Sequence, residues 1–373
     1  MAGARAYSMG IEEEYFIFDS ATGAAVSRGS APFIAQAMER LGDGVMPEML
    51  QSQIEVATPP CNTADEARRH LAHFRCELAA QAKAHGLGIA ALGTFPLAYW
   101  RAQAPTAKQR YVTMTEDLQM LALRNMLCGM HVHVAVSRPD ARMGVIQRVV
   151  PHLPLLLALS TSSPFWEGHP TGLHGYRLAA YDELPRTGLP ELLRTDAEFD
   201  EYVAALVDAG VIADSSHIWW AIRPSGKHPT VELRVCDSCP RLDDAVAIAT
   251  LFRAMVRTYD RAPGTAEPPD RIGRAIILEN KWRAQRYGVW ATFVDPYTRR
   301  PVTASEQLEG LIAAVDDGEA EDTAAFDRLR SIVCDGSGAD RLIEVYQSAI
   351  EKDASTQNAL RAVVDWAAET TAG

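Results

Sequence analysis

The segment Cys128-Gly129-Met130-His131-Val132-His133-Val134-Ala135-Val136 places two imidazoles on one face of a strand and three valines on the other. Side chains alternate across a strand, so His131, His133 and Ala135 share a side. Three other segments repeat the pattern with carboxylates. In Gln53-Ile54-Glu55-Val56 the polar pair alternates with two aliphatics, and in Val231-Glu232-Leu233-Arg234-Val235 an acid and a base lie opposite three. In Gly10-Ile11-Glu12-Glu13-Glu14-Tyr15, Glu12 and Glu14 share a face, while Glu13 falls on the other and is expected to be structural. Strands that are apolar on one side and charged on the other bury only one side. They predict a sheet with a core beneath and a reactive surface above, as an enzyme requires.

The chain has 373 residues, 47% hydrophobic and 23% charged, which supplies enough apolar material for a sizeable core. A net charge of -12 argues against duplex nucleic acid or an anionic membrane as the main partner. Met1 to Tyr7 carry no apolar signal core, and the greasiest stretch, Leu155 to Leu159, is too short to span a bilayer. A cytoplasmic protein is expected. Six cysteines in a chain this long make no disulfide framework. Cys236-Asp237-Ser238-Cys239 lacks the second pair that a zinc site needs, so it is expected to be a plain loop.

Strands are predicted over 9–18, 50–57, 88–94, 130–136, 217–223 and 230–236. Thr63-Ala64-Asp65-Glu66 is a capping box that opens a helix running to His85. Further helices are expected from Pro139-Asp140, interrupted by the prolines at 151 and 154, and over 197–208, 243–259 and 271–287. Residues 98–115 and 167–190 are expected to be loops over a site, and Ala262 to Pro269 a break. Arg177 and Tyr181 are candidate substrate contacts, and Trp219 and Trp220 are packing residues. No linker divides the chain. The expectation is one α+β catalytic domain over 1–373, built on a mostly antiparallel sheet, with a helical portion from about 300 onward. The apolar stretches are compatible with a homodimer.

The inward polar groups are then Glu12, Glu14, Gln53, Glu55, His131, His133, Glu232 and Arg234, with Glu48 just before the second strand. Carboxylates crowded into one cavity repel, and their pKa values rise unless cations neutralise them. Oxygen-rich ligation with one or two imidazoles suits Mg²⁺ or Mn²⁺ better than zinc. Such ions commonly act on phosphates, and Arg223, Arg234, Arg283 and Arg286 are available for phosphate or carboxylate. The residues therefore point to an ATP-using, metal-dependent enzyme acting on an anionic small molecule.

Taken in order, five of these motifs resemble the bacterial carboxylate–amine ligases, the glutamate–cysteine ligase type 2 proteins of the glutamine synthetase-like superfamily. They are Gly10-Ile11-Glu12-Glu13-Glu14, Gln53 to Pro60, Gly129-Met130-His131-Val132-His133, Arg223-Pro224-Ser225 and Glu232-Leu233-Arg234. Glu279 to Gly288 resembles the family's later motif. The resemblance implies a curved antiparallel sheet forming a funnel, with ATP entering one end and amino-acid substrates the other. It implies two divalent sites, Glu14, Glu48 and Glu55 for one ion and Glu12, His131 and Glu232 for the other. His133, with Arg283 and Arg286, would meet the nucleotide, and Arg234 and Arg223 the transferred phosphoryl group or a substrate carboxylate. The implied chemistry is an acyl phosphate formed from ATP and captured by an amine, with glutamate and cysteine as the family's default pair. Three alternatives stand beside it: a metal-dependent amide hydrolase, phosphoryl transfer without amide formation, and a nucleotide-binding regulator without turnover.

Overall fold

The alternating segments pair into one antiparallel sheet. The computed structural model describes residues 6–262 and 269–373. Strands β1 (Met9–Asp19), β2 (Val45–Pro47), β3 (Gln53–Ala57), β4 (Leu87–Ala90) and β5 (Gly129–Ala135) come first. A short ribbon, β6 (Phe165–Trp166) with β7 (His169–Pro170), precedes β8 (Ile222–Pro224) and β9 (Thr230–Asp237). A second ribbon, β10 (Thr292–Val294) with β11 (Pro301–Thr303), stands apart from the main sheet. In space the main sheet runs β2-β3-β1-β5-β9-β8, and β4 joins the far half of β1, so the sheet is open. β1 is its spine, pairing with three strands along its length.

Helices α1 (Ala31–Leu41), α2 (Ala64–Ala84), α3 (Gln109–Leu118) and α4 (Met120–Arg124) fall in the first third of the chain. α5 (Arg142–Val149), α6 (Leu153–Ser160), α7 (Tyr176–Tyr181), α8 (Asp196–Asp208), α9 (Leu242–Arg261) and α10 (Arg271–Tyr287) follow. α11 (Ala304–Val315), α12 (Ala320–Asp335), α13 (Gly338–Ile350) and α14 (Thr356–Ala372) complete the chain. As the capping box predicts, the Thr63 hydroxyl accepts from the Glu66 amide at the start of α2. The run Arg142–Ser160 is apolar enough to cross a membrane, yet 83% of it is buried inside the protein as the paired helices α5 and α6. The hydrophobic core is continuous from Met9 through the sheet to Val364 and Ala367 in α14.

Four expectations need correction. Residues 98–115 are not simply a loop, for they hold a 3-10 turn at Trp100–Ala102 and the start of α3. No residue of α3 is buried, so the helix leaves no apolar period in the sequence. The strand expected over 217–223 is Ile222–Pro224, preceded by a 3-10 turn at Ser215–His217, and the strand expected over 88–94 ends at Ala90. The 167–190 segment contains α7, which buries Arg177, Leu178, Ala180 and Tyr181. Most of the expected break at Ala262 to Pro269 lies outside the described residues.

Strand parity decides where Glu13 goes. It faces away from Glu12 and Glu14 and meets Arg75 of α2, with both side chains essentially inaccessible to water. Arg75 clasps the carboxylate through Nε at 3.0 Å and Nη2 at 2.6 Å and spends its remaining donors on the carbonyls of Pro240 and Cys239. The Tyr15 hydroxyl also donates to Glu13. Breaking a buried pair by removing one partner strands an uncompensated charge, at a cost of about 3–5 kcal/mol. Glu13→Ala and Arg75→Met should each lower chemical-denaturation stability by that amount, and Tyr15→Phe by about 1 kcal/mol.

His152, in the turn between α5 and α6, shares a hydrogen bond between Nε2 and the Tyr259 hydroxyl (3.3 Å) and has no partner at Nδ1. Burial lowers its pKa from 6.5 to about 4, with the nearby Asp295 opposing the shift. The unfolded chain therefore binds the extra proton first. The stability that the neutral ring contributes is full above pH 6.5 and is lost as pH falls toward 4. The loss is about 3 kcal/mol at its limit. Denaturation curves between pH 7 and 4 should decline less steeply for His152→Gln than for the unmodified protein; parallel declines would exclude this source.

Candidate active site

The register brings the sequence-predicted groups side by side. Glu14 lies opposite Glu55, Glu12 opposite His131, and Glu232 opposite both His133 and Arg223. Glu48, in the turn after β2, completes a cluster with Glu14 and Glu55 whose carboxylate oxygens lie within 4.8 Å of one another. Glu14 accepts from the Gly129 amide at 2.6 Å, and Glu48 from the Met49 amide at 2.9 Å. Burial and the Glu48 charge push the Glu14 pKa up to about 8. Burial and Glu48 also raise Glu55 well above the usual carboxylate range. Three carboxylates at this spacing cannot all ionise unaided, and a cation among them would restore their charge. An all-oxygen donor set fits a hard divalent ion.

The two histidines share Glu12. His131 Nδ1 lies 3.3 Å from Glu12 Oε2, and His133 Nε2 lies 3.4 Å from Oε1. Burial raises the Glu12 pKa, but the two imidazoles outweigh it and hold the carboxyl well below its ordinary value. Burial, aided by Arg234, lowers His131 to about 4, so the ring is neutral. A carboxylate only accepts, so the Glu12 contact assigns the ring proton to Nδ1 and leaves a lone pair on Nε2. That Nε2 is buried and has no protein partner. Such an imidazole, oriented by a carboxylate, is built to ligate.

The other end belongs to arginine. Arg223 grips Glu232 through Nε at 2.8 Å and Nη2 at 3.0 Å, and Arg234 adds Nη1 at 2.5 Å. Burial would raise the Glu232 pKa, but Arg234 and Arg223 outweigh it and keep the carboxylate charged. Of the trio expected for a second ion, Glu12 is shared by two histidines and Glu232 by two arginines. Only His131 Nε2 is left without a protein partner. Arg234 Nη2 also meets the Tyr181 hydroxyl at 3.2 Å.

Arg283 and Arg286 are not gathered with these groups. Their guanidiniums lie 5.5 and 5.0 Å from the centre of the Tyr287 ring, and Arg283 Nε donates to the Thr292 carbonyl. Cys236 and Cys239 are free and buried thiols. Two residues join the site that parity alone does not supply. Tyr111 of α3 donates to the Pro47 carbonyl at 3.1 Å, and burial with the Glu48 charge raises its phenol pKa. Arg177, buried in α7, donates to the Cys236 carbonyl at 3.1 Å and lies against Gly129, where a Cβ would come within 2.1 Å of Nη2. Neither has a period-2 signal, since each arrives from a helix.

Residues 8–365 match glutamate–cysteine ligase family 2. The chain belongs to this family. A protein of Bradyrhizobium diazoefficiens provisionally named glutamate–cysteine ligase 2 is 47% identical over 367 residues, covering 98% of this chain and 84% of its own length. One of the same name from Ectopseudomonas mendocina is 39% identical over 359 residues, covering 96% and 95% of the two chains. Among solved structures, glutamate–cysteine ligase from Francisella tularensis in complex with AMP superposes with a TM-score of 0.69 at 12% identity, over 98% of this chain and 89% of its own. A bifunctional glutathione synthetase from Pasteurella multocida gives 0.72 at 15% identity over 98% of this chain, which spans only about half (52%) of that protein. At such identities these two establish the fold, that of the glutamine synthetase-like ligases. Family 2 membership makes the chain an ATP-dependent carbon–nitrogen ligase. In this family member Gly129 is wedged between Glu14 and Arg177, so Gly129→Ala must displace the guanidinium. Activity should fall at least tenfold, with about 1–3 kcal/mol of lost stability from overpacking, read by steady-state rates and denaturation.

Proposed function

We propose that this protein joins the side-chain carboxylate of an acidic amino acid to an amine through an acyl phosphate, with glutamate and cysteine as the substrate pair. One observation carries the proposal: a single polar face is divided into an acidic end that needs a cation and an arginine end that suits an anion. A nucleotide phosphate chain and a carboxylate must meet in this reaction, and the two ends offer complementary seats for them.

In the proposed reaction a carboxylate oxygen attacks the γ-phosphorus of ATP and ADP leaves. The amine then attacks the acyl carbon, loses a proton and expels phosphate. Glu14, Glu48 and Glu55 would hold Mg²⁺ or Mn²⁺, with His131 Nε2 available as a further ligand, and a cation there supplies charge neutralisation at the phosphate oxygens. Glu12 fixes the rings of His131 and His133, and His133 faces the phosphates. Arg234 and Arg223, held by Glu232, sit where the transferred phosphoryl group or the acyl carboxylate develops charge. Their donors are held within the protein, so it is their fixed positive charge that does the stabilising, and no Ser or Cys nucleophile is needed. Arg283 and Arg286 are left out of this scheme because their guanidiniums rest on Tyr287. The proposed location is the cytoplasm, with which six free cysteines agree.

ADP release should require glutamate, cysteine and a divalent cation together. Glu55→Gln and His131→Ala should each cut turnover at least about a hundredfold while leaving the far-UV spectrum and melting midpoint unchanged. Calorimetric titration with Mn²⁺ should show binding that Glu55→Gln abolishes. Normal turnover in either variant would remove that residue from the site.

A further inference from the structure

Arg223 and Arg234 have little left to offer a ligand. All the donor nitrogens of Arg223 are engaged, two by Glu232 and Nη1 by the carbonyls of Ser216 and Ile218. Arg234 has spent Nη1 on Glu232 and Nη2 on Tyr181, and its one unpartnered donor, Nε, is buried out of a ligand's reach. An acidic amino acid brings two carboxylates, one to react and one to be recognised. The second needs a cation with unspent donors near this end of the face.

Arg186 meets that need. Its Nε donates to the His217 carbonyl at 3.0 Å, so Arg186 and Arg223 together claim the carbonyls of the consecutive residues 216, 217 and 218. Arg110 reaches the same turn through Ser216 Oγ at 3.1 Å. The Arg186 guanidinium lies 5.3 Å from the centre of the Trp219 ring and forms no ion pair among the described residues. That leaves the Nη1 and Nη2 pair, a planar fork, without a hydrogen-bond partner among the described residues. The chain reaches Arg186 directly from Tyr181, whose hydroxyl braces Arg234. Arg186 also has φ +58°, a left-handed backbone that a non-glycine side chain adopts only under constraint. Its carbonyl accepts from the Trp219 amide and that of Gly188 from the Ala221 amide, which locks the segment against the strand leading into β8. Such a conformation persists only where the surroundings over-determine it, and it clusters at ligand sites.

We infer that Arg186 is a specificity residue that binds the non-reacting carboxylate of a dicarboxylic amino-acid substrate. The inference rests on the ligase proposed above. The left-handed backbone supplies a clean test, because glycine suits φ +58° and should keep the fold. In Arg186→Gly the KM for glutamate should rise about 10–100-fold, the scale of a lost hydrogen bond to a charged group. Its kcat, its KM for ATP and its melting midpoint should stay close to the unmodified values, and Arg186→Lys should fall between the two. With 4-aminobutyrate, which keeps the reacting carboxylate and lacks the other, the unmodified protein and Arg186→Gly should behave alike. An unchanged glutamate KM in Arg186→Gly, or equal losses with both acids, would overturn the inference alone. No acid-dependent ADP release from the unmodified protein would instead overturn the ligase chemistry beneath it.

Discussion

Like charges on neighbouring strands are the constraint around which this molecule is organised. Glu14 and Glu55 are register partners, and Glu48 brings a third carboxylate to within ligand distance of both. Left alone, such a group is relieved only by taking up protons, as the raised pKa values of Glu14 and Glu55 record. Every other feature of the polar face answers the same problem by a different means. Glu12 is neutralised by two imidazoles, Glu232 by two guanidiniums, and Glu13, on the far side of the sheet, by Arg75. Among the described residues of this face, the cluster of Glu14, Glu48 and Glu55 is the one left to a partner from outside the chain.

Packing beneath the sheet makes that crowding tolerable. β1 is held on both edges, and α2 fastens its under-surface through the Glu13–Arg75 pair. The same guanidinium binds the carbonyls of Cys239 and Pro240, just after β9. Arg75 thus ties the strand bearing Glu12 and Glu14 to the strand bearing Glu232 and Arg234 from below. Beyond Glu14 the upper face of β1 turns apolar. Phe16 and Phe18 pack on Phe95 there, closing that end of the face with hydrocarbon rather than charge. The reactive surface is confined to half the length of its spine strand.

Arginine serves two unlike purposes around the face. Arg75 and Arg223 have their donors spent on carbonyls or a carboxylate and hold shape, whereas Arg177 spends only Nη1, on the Arg234 and Cys236 carbonyls, and its buried Nε has no partner. Arg186 keeps a free fork on a strained backbone. The distinction is one of satisfied against unsatisfied hydrogen-bonding capacity, and a sequence in which every arginine looks alike does not carry it.

How much was legible follows from range. Period-2 alternation is a local rule, so Glu12, Glu14, Glu55, His131, His133, Glu232 and Arg234 could be sorted to one face, and Glu13 to the other, from the chain alone. The α+β class and the helix caps follow from equally local chemistry. Glu48 was placed by resemblance, since no parity applies to a turn. Arg177 was legible only as a candidate contact in an expected loop, not as a buried helical residue, and Tyr111 not at all, since α3, with no buried residue, has no apolar stripe to betray it. The occupation of Glu232 by Arg223, the unpartnered lone pair on His131 and the free fork of Arg186 depend on which atoms end within about 3 Å of each other. Backbone pairing between distant segments sets those distances, so the sequence determined which chemical groups share a surface and the tertiary structure alone decided which of them remain unspent.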